Sequence, residues 1–182
     1  MAKQFPSLTP ELKDFIGRQH IFFTASATAD SRINLSPKGL GGFRITGDNE
    51  VVFLNLTGSG NETAAHMRAD GRLTIMFCAF EGPAMILRLY GRGRVARKGT
   101  EEYARYLASA FEGNEPPGAR QIVIQEIDLV QTSCGYGVPL HDYKEERPTL
   151  VRWAEAKGEE GIAEYWREKN MVSMDGLSTG MD

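Results

Sequence analysis

Asn55-Leu56-Thr57-Gly58-Ser59-Gly60-Asn61-Glu62-Thr63 carries the chain from the end of a β-rich run, through a glycine turn, into the start of a helix. The run before it, Glu50 to Leu56, is dense in β-branched and aromatic residues, as a strand requires. Asn61 is a residue type that caps helix N-termini, and the spacing predicts a helix over Glu62 to Ala69. Two further strands follow, Arg72 to Phe80 and Met85 to Val95, joined by the turn Glu81-Gly82-Pro83. On the N-terminal side, Ile21 to Thr28 and Arg32 to Ser36 read as a hairpin closed by Ala29-Asp30-Ser31. Pro37 to Gly42 then interrupts the pattern before the turn Gly47-Asp48-Asn49.

Farther out, Thr9 followed by Pro10 marks a helix start, and the periodicity of Leu12, Phe15 and Ile16 carries that helix to about Gly17. Tyr103, Tyr106, Leu107 and Phe111 recur at helical spacing between Thr100 and Phe111, ahead of the loop Gly113 to Gly118. Ile122, Ile124, Ile127 and Leu129 mark a last long strand, with an irregularity expected near Gln125-Glu126 where the alternation shifts. Cys134-Gly135-Tyr136-Gly137-Val138-Pro139 forms a tight loop, and a charged helical tail runs from about Thr149 to Asn170. Five or six sequential strands with helices at the beginning, middle and end predict a mainly β fold, an antiparallel barrel with peripheral helices. A barrel over about 20–133 and a loop with helical tail over about 134–182 make one domain of residues 1–182. The GxGxxG fingerprint of a nicotinamide-binding fold is missing.

Composition narrows the chemistry. The 182 residues are 41% hydrophobic and 25% charged, the balance of an ordinary globular protein, and the net charge of -3 gives no basic excess for nucleic acid. The N-terminus lacks the apolar core of a secretion signal, and no stretch approaches the roughly 20 apolar residues of a membrane span, so a cytoplasmic protein is expected. Cys78 and Cys134 stand far apart without CxxC spacing, and both are expected to be reduced. No two of His20, His66 and His141 stand at a metal-ligand spacing, so no metal site is expected.

Several residues carry possible chemistry. The unpaired N–H groups of the helix start after Gly60 favour an anion, and Ser59, Asn61 and Thr63 add side-chain donors; the same residues also suit a cap and a turn alone. Arg32, Asn34 and Ser36 share one face of a strand with Lys38 close by, an arrangement that a solvated edge strand also explains. Arg88 interrupts an apolar strand and needs a partner, a ligand or an outward orientation. Cys134 and Tyr136 read as a buried thiol and a packed ring, because no basic residue adjoins the thiol. His66 and His141 read as surface or capping residues. No general acid, base or nucleophile is identifiable.

The order of segments carries a resemblance. Asn34-Leu35-Ser36-Pro37-Lys38-Gly39, then Phe53-Leu54-Asn55-Leu56, then Gly58-Ser59-Gly60-Asn61-Glu62-Thr63-Ala64-Ala65-His66 are followed by Gly71 to Phe77 and Ile86 to Gly91. Over roughly residues 10 to 140 this resembles the pyridoxamine-5′-phosphate-oxidase-like family of FMN-binding split β-barrels, in particular a branch carrying the Cys-Gly-Tyr-Gly-Val-Pro loop. The resemblance implies a homodimer with FMN in clefts between subunits. It implies phosphate donors from the second strand, where Ser36 and Lys38 fall, and from the helix after the third, with Leu54 and Asn55 beneath the flavin.

Glu62 and Thr63 stand where true pyridoxamine-phosphate oxidases have Arg-Lys, and the Arg- and Trp-containing substrate segment of those oxidases is missing. The implied cofactor set is therefore Ser36, Lys38, Asn55, Ser59, Asn61, Glu62, Thr63 and Arg88, with neutral donors taking over part of the phosphate contact. The expected function is an FMN-dependent oxidoreductase acting with a small-molecule substrate or electron donor. The alternatives are a non-catalytic flavin-binding or flavin-sensing module and a split barrel using haem or a deazaflavin.

Overall fold

The protein is described by a computed structural model over residues 2–181. Its elements are β1 (Lys3–Phe5), α1 (Pro10–Gly17), β2 (Phe22–Ser26), β3 (Asn34–Lys38), β4 (Phe43–Ile45), β5 (Glu50–Leu56), α2 (Glu62–Ala69), β6 (Arg72–Cys78), β7 (Ile86–Arg97), α3 (Glu101–Phe111), β8 (Ala119–Ser133) and α4 (Thr149–Lys169). The strands form one antiparallel sheet in the order β3-β2-β6-β7-β8-β5-β4, curled into an open half-barrel. At 15 residues β8 is long enough to pair β5 along its first half and β1 along its last, with β7 on its other side.

The inner face of the curl is packed with Phe22, Phe53, Ile75, Phe77, Leu87, Leu89 and Val130. Phe22 meets Phe43 and Phe53 edge-on, at 5.0 and 5.5 Å between ring centroids, a geometry that adds to the burial of the rings themselves. α1 adds Leu12, Phe15 and Ile16 to this core, and its N-cap Thr9 accepts from the backbone N–H of Leu12 as the sequence predicts. On the opposite face, Tyr103, Tyr106 and Phe111 of α3 cover Val52, Ala96, Ile122 and Ile124. The first seven residues of β8 are buried on both faces for that reason, so its alternation is invisible in the sequence until Glu126.

Several boundaries differ from the sequence reading. β3 runs through Pro37 to Lys38 where an interruption is expected; it is an edge strand, and an edge tolerates a residue without an N–H. The three-residue strands β1 and β4 are too short to produce a period in the sequence. The irregularity expected near Gln125-Glu126 lies at Asp128, which is skipped between Leu129 and Ile127 in the pairing with β7. A second irregularity places Arg120 between the residues that pair with Asn55 and Leu56. The tail helix is broken at Gly158, whose φ of 65° only glycine adopts readily.

Cys78 and Cys134 are both free, but Cys134 is exposed and so is Tyr136, against the buried thiol and packed ring expected there. Among the described residues no helix is long and apolar enough to cross a membrane, and no group of metal-ligating side chains gathers.

Gly91 sits opposite the Asp128 irregularity, and a Cβ there would lie 1.9 Å from the carbonyl oxygen of Glu126. At Gly93 a Cβ would instead meet the thioether of Met67 and a methyl of Leu73, both able to swing aside. Denaturant unfolding of the two alanine variants should show Gly91→Ala losing about 3 kcal/mol or more and Gly93→Ala distinctly less.

Candidate functional site

Register fixes which side of β3 faces inward. Lys38, Ser36 and Asn34 pair with Phe22, Thr24 and Ser26 of β2, all three buried, so these polar side chains of β3 point into the curl and are half-buried there. At the far end of this row the Asn34 amide donates to Thr63 Oγ1 at 3.2 Å, and Ser36 Oγ donates to Asn34 Oδ1 at 3.2 Å. The first turn of α2 is thereby joined to the edge strand. Beneath it His66, read from the sequence as a surface or capping residue, is fully buried with Nδ1 3.0 Å from Ser26 Oγ.

The other wall of this cleft is built by the irregularity in β8. Arg120, the extra residue of the bulge, is turned inward and is 4% exposed. Its guanidinium donates to Asn55 Oδ1 at 2.7 Å, to the Gly60 carbonyl at 3.2 Å and to Asn170 Oδ1 at 2.5 Å. All three acceptors are neutral, and Arg120 Nε has no acceptor among the described residues. Gln121 beside it donates to Asn61 Oδ1 at 2.8 Å and more weakly to Asn55 Oδ1. Asn61 thus occupies the N-cap position of α2 without bonding a helix N–H through its side chain; the amide is committed to Gln121 and to Met181.

Two cations therefore lie near one another, Arg120 in this wall and Lys38 on β3. Burial pulls the Arg120 guanidinium down to about 10. Burial, reinforced by the positive charge of Arg120, pushes the Lys38 ammonium down to about 8. Neither has a carboxylate within ion-pair distance among the described residues. Cations so placed are costly unless an anion compensates them.

The C-terminal segment closes the outside of the loop that precedes α2. Trp166 donates its indole N–H to Thr57 Oγ1 at 2.8 Å, and the Asn170 amide donates to the Gly58 carbonyl at 3.2 Å. Glu62 accepts from the backbone N–H of Met174, and Arg32 is ion-paired with Asp175.

Of the residues singled out in the sequence, Ser36, Lys38, Asn55, Asn61 and Thr63 are brought to this one cleft. Ser59 is exposed in the loop, and Glu62 turns to the tail. Arg88 lies elsewhere: its neighbours Leu87 and Leu89 face the core, so it projects from the opposite face of the sheet, donating to Ser133 Oγ at 3.2 Å. Arg120, Gln121 and Asn170 escaped the sequence reading. The available signal was the Arg-Gln pair at the start of an otherwise apolar strand, the same pattern that marks Arg88.

Residues 8–134 match the family model for pyridoxamine 5′-phosphate oxidase. The chain is 38% identical over 189 aligned positions to the pyridoxamine 5′-phosphate oxidase family protein ustO of Aspergillus flavus, covering 95% of this chain and 76% of that one. Among solved structures it is similar to HupZ of Group A Streptococcus, with a TM-score of 0.52 and 22% identity over 67% of this chain and 91% of that one. It is also similar to a putative pyridoxamine 5′-phosphate oxidase from Lactobacillus delbrueckii, with a TM-score of 0.53 and 16% identity over 69% of this chain and 94% of that one. At such identities these two likenesses concern the fold.

The cost of the Lys38 charge has a defined pH window. With its folded pKa held near 8 against an ordinary 10.5, the destabilisation is fully present below about pH 8 and fades as pH rises toward 10.5. In ligand-free protein Lys38→Met should melt about 2–4 °C higher at pH 7, what about 1 kcal/mol is worth in a chain of this length, with the difference narrowing in melts at pH 9 and above. An increment independent of pH would show that the gain is one of packing.

Proposed function

Because the chain belongs to the pyridoxamine 5′-phosphate oxidase family, we propose that it binds FMN in the cleft between the edge strand β3 and the start of α2, and that it works as a flavin-dependent oxidoreductase. The observation that carries this reading is the Lys38–Arg120 pair: two cations withdrawn from water, without a carboxylate partner among the described residues, beside a row of neutral donors. A phosphate carries close to two negative charges and three acceptor oxygens, which such a set satisfies.

In this reading Ser36, Asn34 and Thr63 bind the phosphate oxygens by hydroxyl and amide donors, with the N-terminal N–H groups of α2 behind Thr63. Lys38 and Arg120 supply the positive potential, and Arg120 holds Asn55 and the Gly60 carbonyl in place. Glu62 contributes through the tail, since its carboxylate is satisfied by Met174 and a negative group facing the phosphate would repel it. When bound, the flavin supplies electron or hydride transfer; the chain binds and orients it and excludes water.

A second copy of the chain would cover the sheet face that α3 leaves open, where Leu35 is 64% exposed and Arg88 and Tyr90 are half-buried. The two free cysteines suit a reducing compartment such as the cytoplasm.

The protein as purified, or after incubation with FMN, should show the flavin visible spectrum and release FMN on denaturation, identified by mass. A haem or deazaflavin spectrum would overturn the proposal, and a flavin that no nicotinamide donor or dye turns over would reduce it to a binding module. Thr63→Ala should weaken FMN about tenfold, the worth of one charge-assisted donor, and Thr63→Glu much more. Riboflavin, lacking the phosphate, should bind poorly and respond little to either change. FMN affinity untouched by Thr63→Glu in well-folded protein would move the phosphate away from the start of α2. Sedimentation of the FMN complex should give a dimer; a monomer that retains tight flavin would refute the second copy.

A further inference from the structure

The C-terminal end of α4 and the segment after it bring different acceptors to two arginines. To Arg32, whose side chain is exposed, comes the carboxylate of Asp175. To Arg120, which is buried, comes the neutral amide of Asn170. Asn170 lies outside residues 8–134, the part of the chain that matches the family model.

Asn170 is fully buried, and each of its polar groups is engaged. Its backbone N–H donates to the Trp166 carbonyl at 2.9 Å, and its own carbonyl accepts from Thr179 Oγ1 at 2.6 Å. In the side chain, Nδ2 donates to the Gly58 carbonyl at 3.2 Å and Oδ1 accepts from Arg120 Nη1 at 2.5 Å. Thr179 is fixed in turn, donating to the Met171 carbonyl through both its N–H and its hydroxyl. The amide therefore has one orientation, with its oxygen on the guanidinium.

The other acceptors of Arg120, Asn55 Oδ1 and the Gly60 carbonyl, are neutral as well. A carboxylate in any of these places would pair with the guanidinium and cancel most of its field, whereas an amide makes the hydrogen bond and leaves the field in place. The two carboxylates of this wall are spent elsewhere, Asp175 on Arg32 and Glu62 on the Met174 N–H.

We propose that Asn170 is a specificity-determining residue: its neutral amide fixes the Arg120 guanidinium without neutralising it, and so sets how strongly the cleft prefers a ligand carrying a phosphate to the same ligand without one. That the ligand is FMN rests on the function proposed above; the preference for a phosphate group does not. Asn170 acts through Arg120 and needs no contact with the ligand itself.

FMN and riboflavin differ only in the phosphate, so the ratio of their affinities, read from flavin fluorescence, measures this preference. Asn170→Asp keeps the shape and the acceptor but adds a charge; the ratio should fall by about tenfold or more, and FMN binding should lose part of its salt dependence. Asn170→Ala removes the bonds to Arg120 and Gly58 without adding charge, and should leave the ratio nearly as it was. Asn55→Asp places a carboxylate on the same guanidinium and makes no hydrogen bond to Gly58; it should repeat the effect, and it decides the question if Asn170→Asp melts early. A ratio unchanged in the aspartate variants, or lowered equally by Asn170→Ala, would overturn the proposal and leave the flavin reading intact. If the protein binds neither flavin, that reading falls and calorimetric titration with inorganic phosphate takes over. Phosphate affinity lowered by Asn170→Asp and spared by Asn170→Ala would uphold the role of Asn170, whereas no binding, or binding indifferent to the added charge, would end it too.

Discussion

The buried guanidinium of Arg120 is the constraint on which the functional half of the molecule depends. An extra residue in β8 turns this side chain inward, and three separate pieces of chain then satisfy it: Asn55 at the end of β5, Gly60 in the loop before α2, and Asn170 at the end of α4. These contacts join the end of β5, the irregular loop before α2 and the C-terminal end of α4 through one side chain. The acceptors are all neutral, so two of the three guanidinium nitrogens are bonded while the charge, and Nε, are left without a partner among the described residues. Geometry and electrostatics thus point in different directions at one residue, which leaves an unbalanced positive charge in the cleft.

The C-terminal segment follows from the same contact. α4 ends on Asn170, which both accepts from Arg120 and donates to the Gly58 carbonyl, and Thr179 then folds back onto the Asn170 and Met171 carbonyls. Asp175 reaches the hairpin through Arg32, and Glu62 receives Met174. The tail is therefore part of the wall around the first turn of α2. The left-handed Gly158 lets the two halves of α4 take different directions, so that Trp153 lines a cavity at one end of β3 while Trp166 serves the Thr57–Gly60 loop.

Packing divides the sheet by function. Where α3 covers it, Val52, Ala96, Ile122 and Ile124 pack against Tyr103, Tyr106 and Phe111, and the polar Glu50 and Arg94 are taken up by the Tyr106 hydroxyl. Where α3 stops, the inner face stays apolar under α1 but becomes polar along β3, Asn55 and Gln121, and the outer face keeps Arg88, Tyr90 and Gln131 half-exposed. Gln125 stitches the seam between these regions by donating to the Leu73 and Leu89 carbonyls from within the core.

The amino-acid sequence alone determined the order of the longer strands and the helices, the hairpin, the turn into α2, the capped start of α1, and membership in its family. Those features rest on local periodicity, turn chemistry and capping, which act over a few residues and are written in them. Ser36, Lys38, Asn55, Asn61 and Thr63 were legible as candidates because each lies in such a local pattern. The tertiary structure alone decided that Arg120, Gln121 and Asn170 join them, that Arg88 does not, that His66 is buried and that Cys134 is not. It also decided where the bulges fall and that Pro37 stays within a strand. The physical reason is the same throughout: which face a side chain takes depends on pairing register and on what covers the sheet. Both are settled by contacts between segments 50 to 65 residues apart, such as Arg120 with Asn55 and Asn170, whose cooperation no local pattern records.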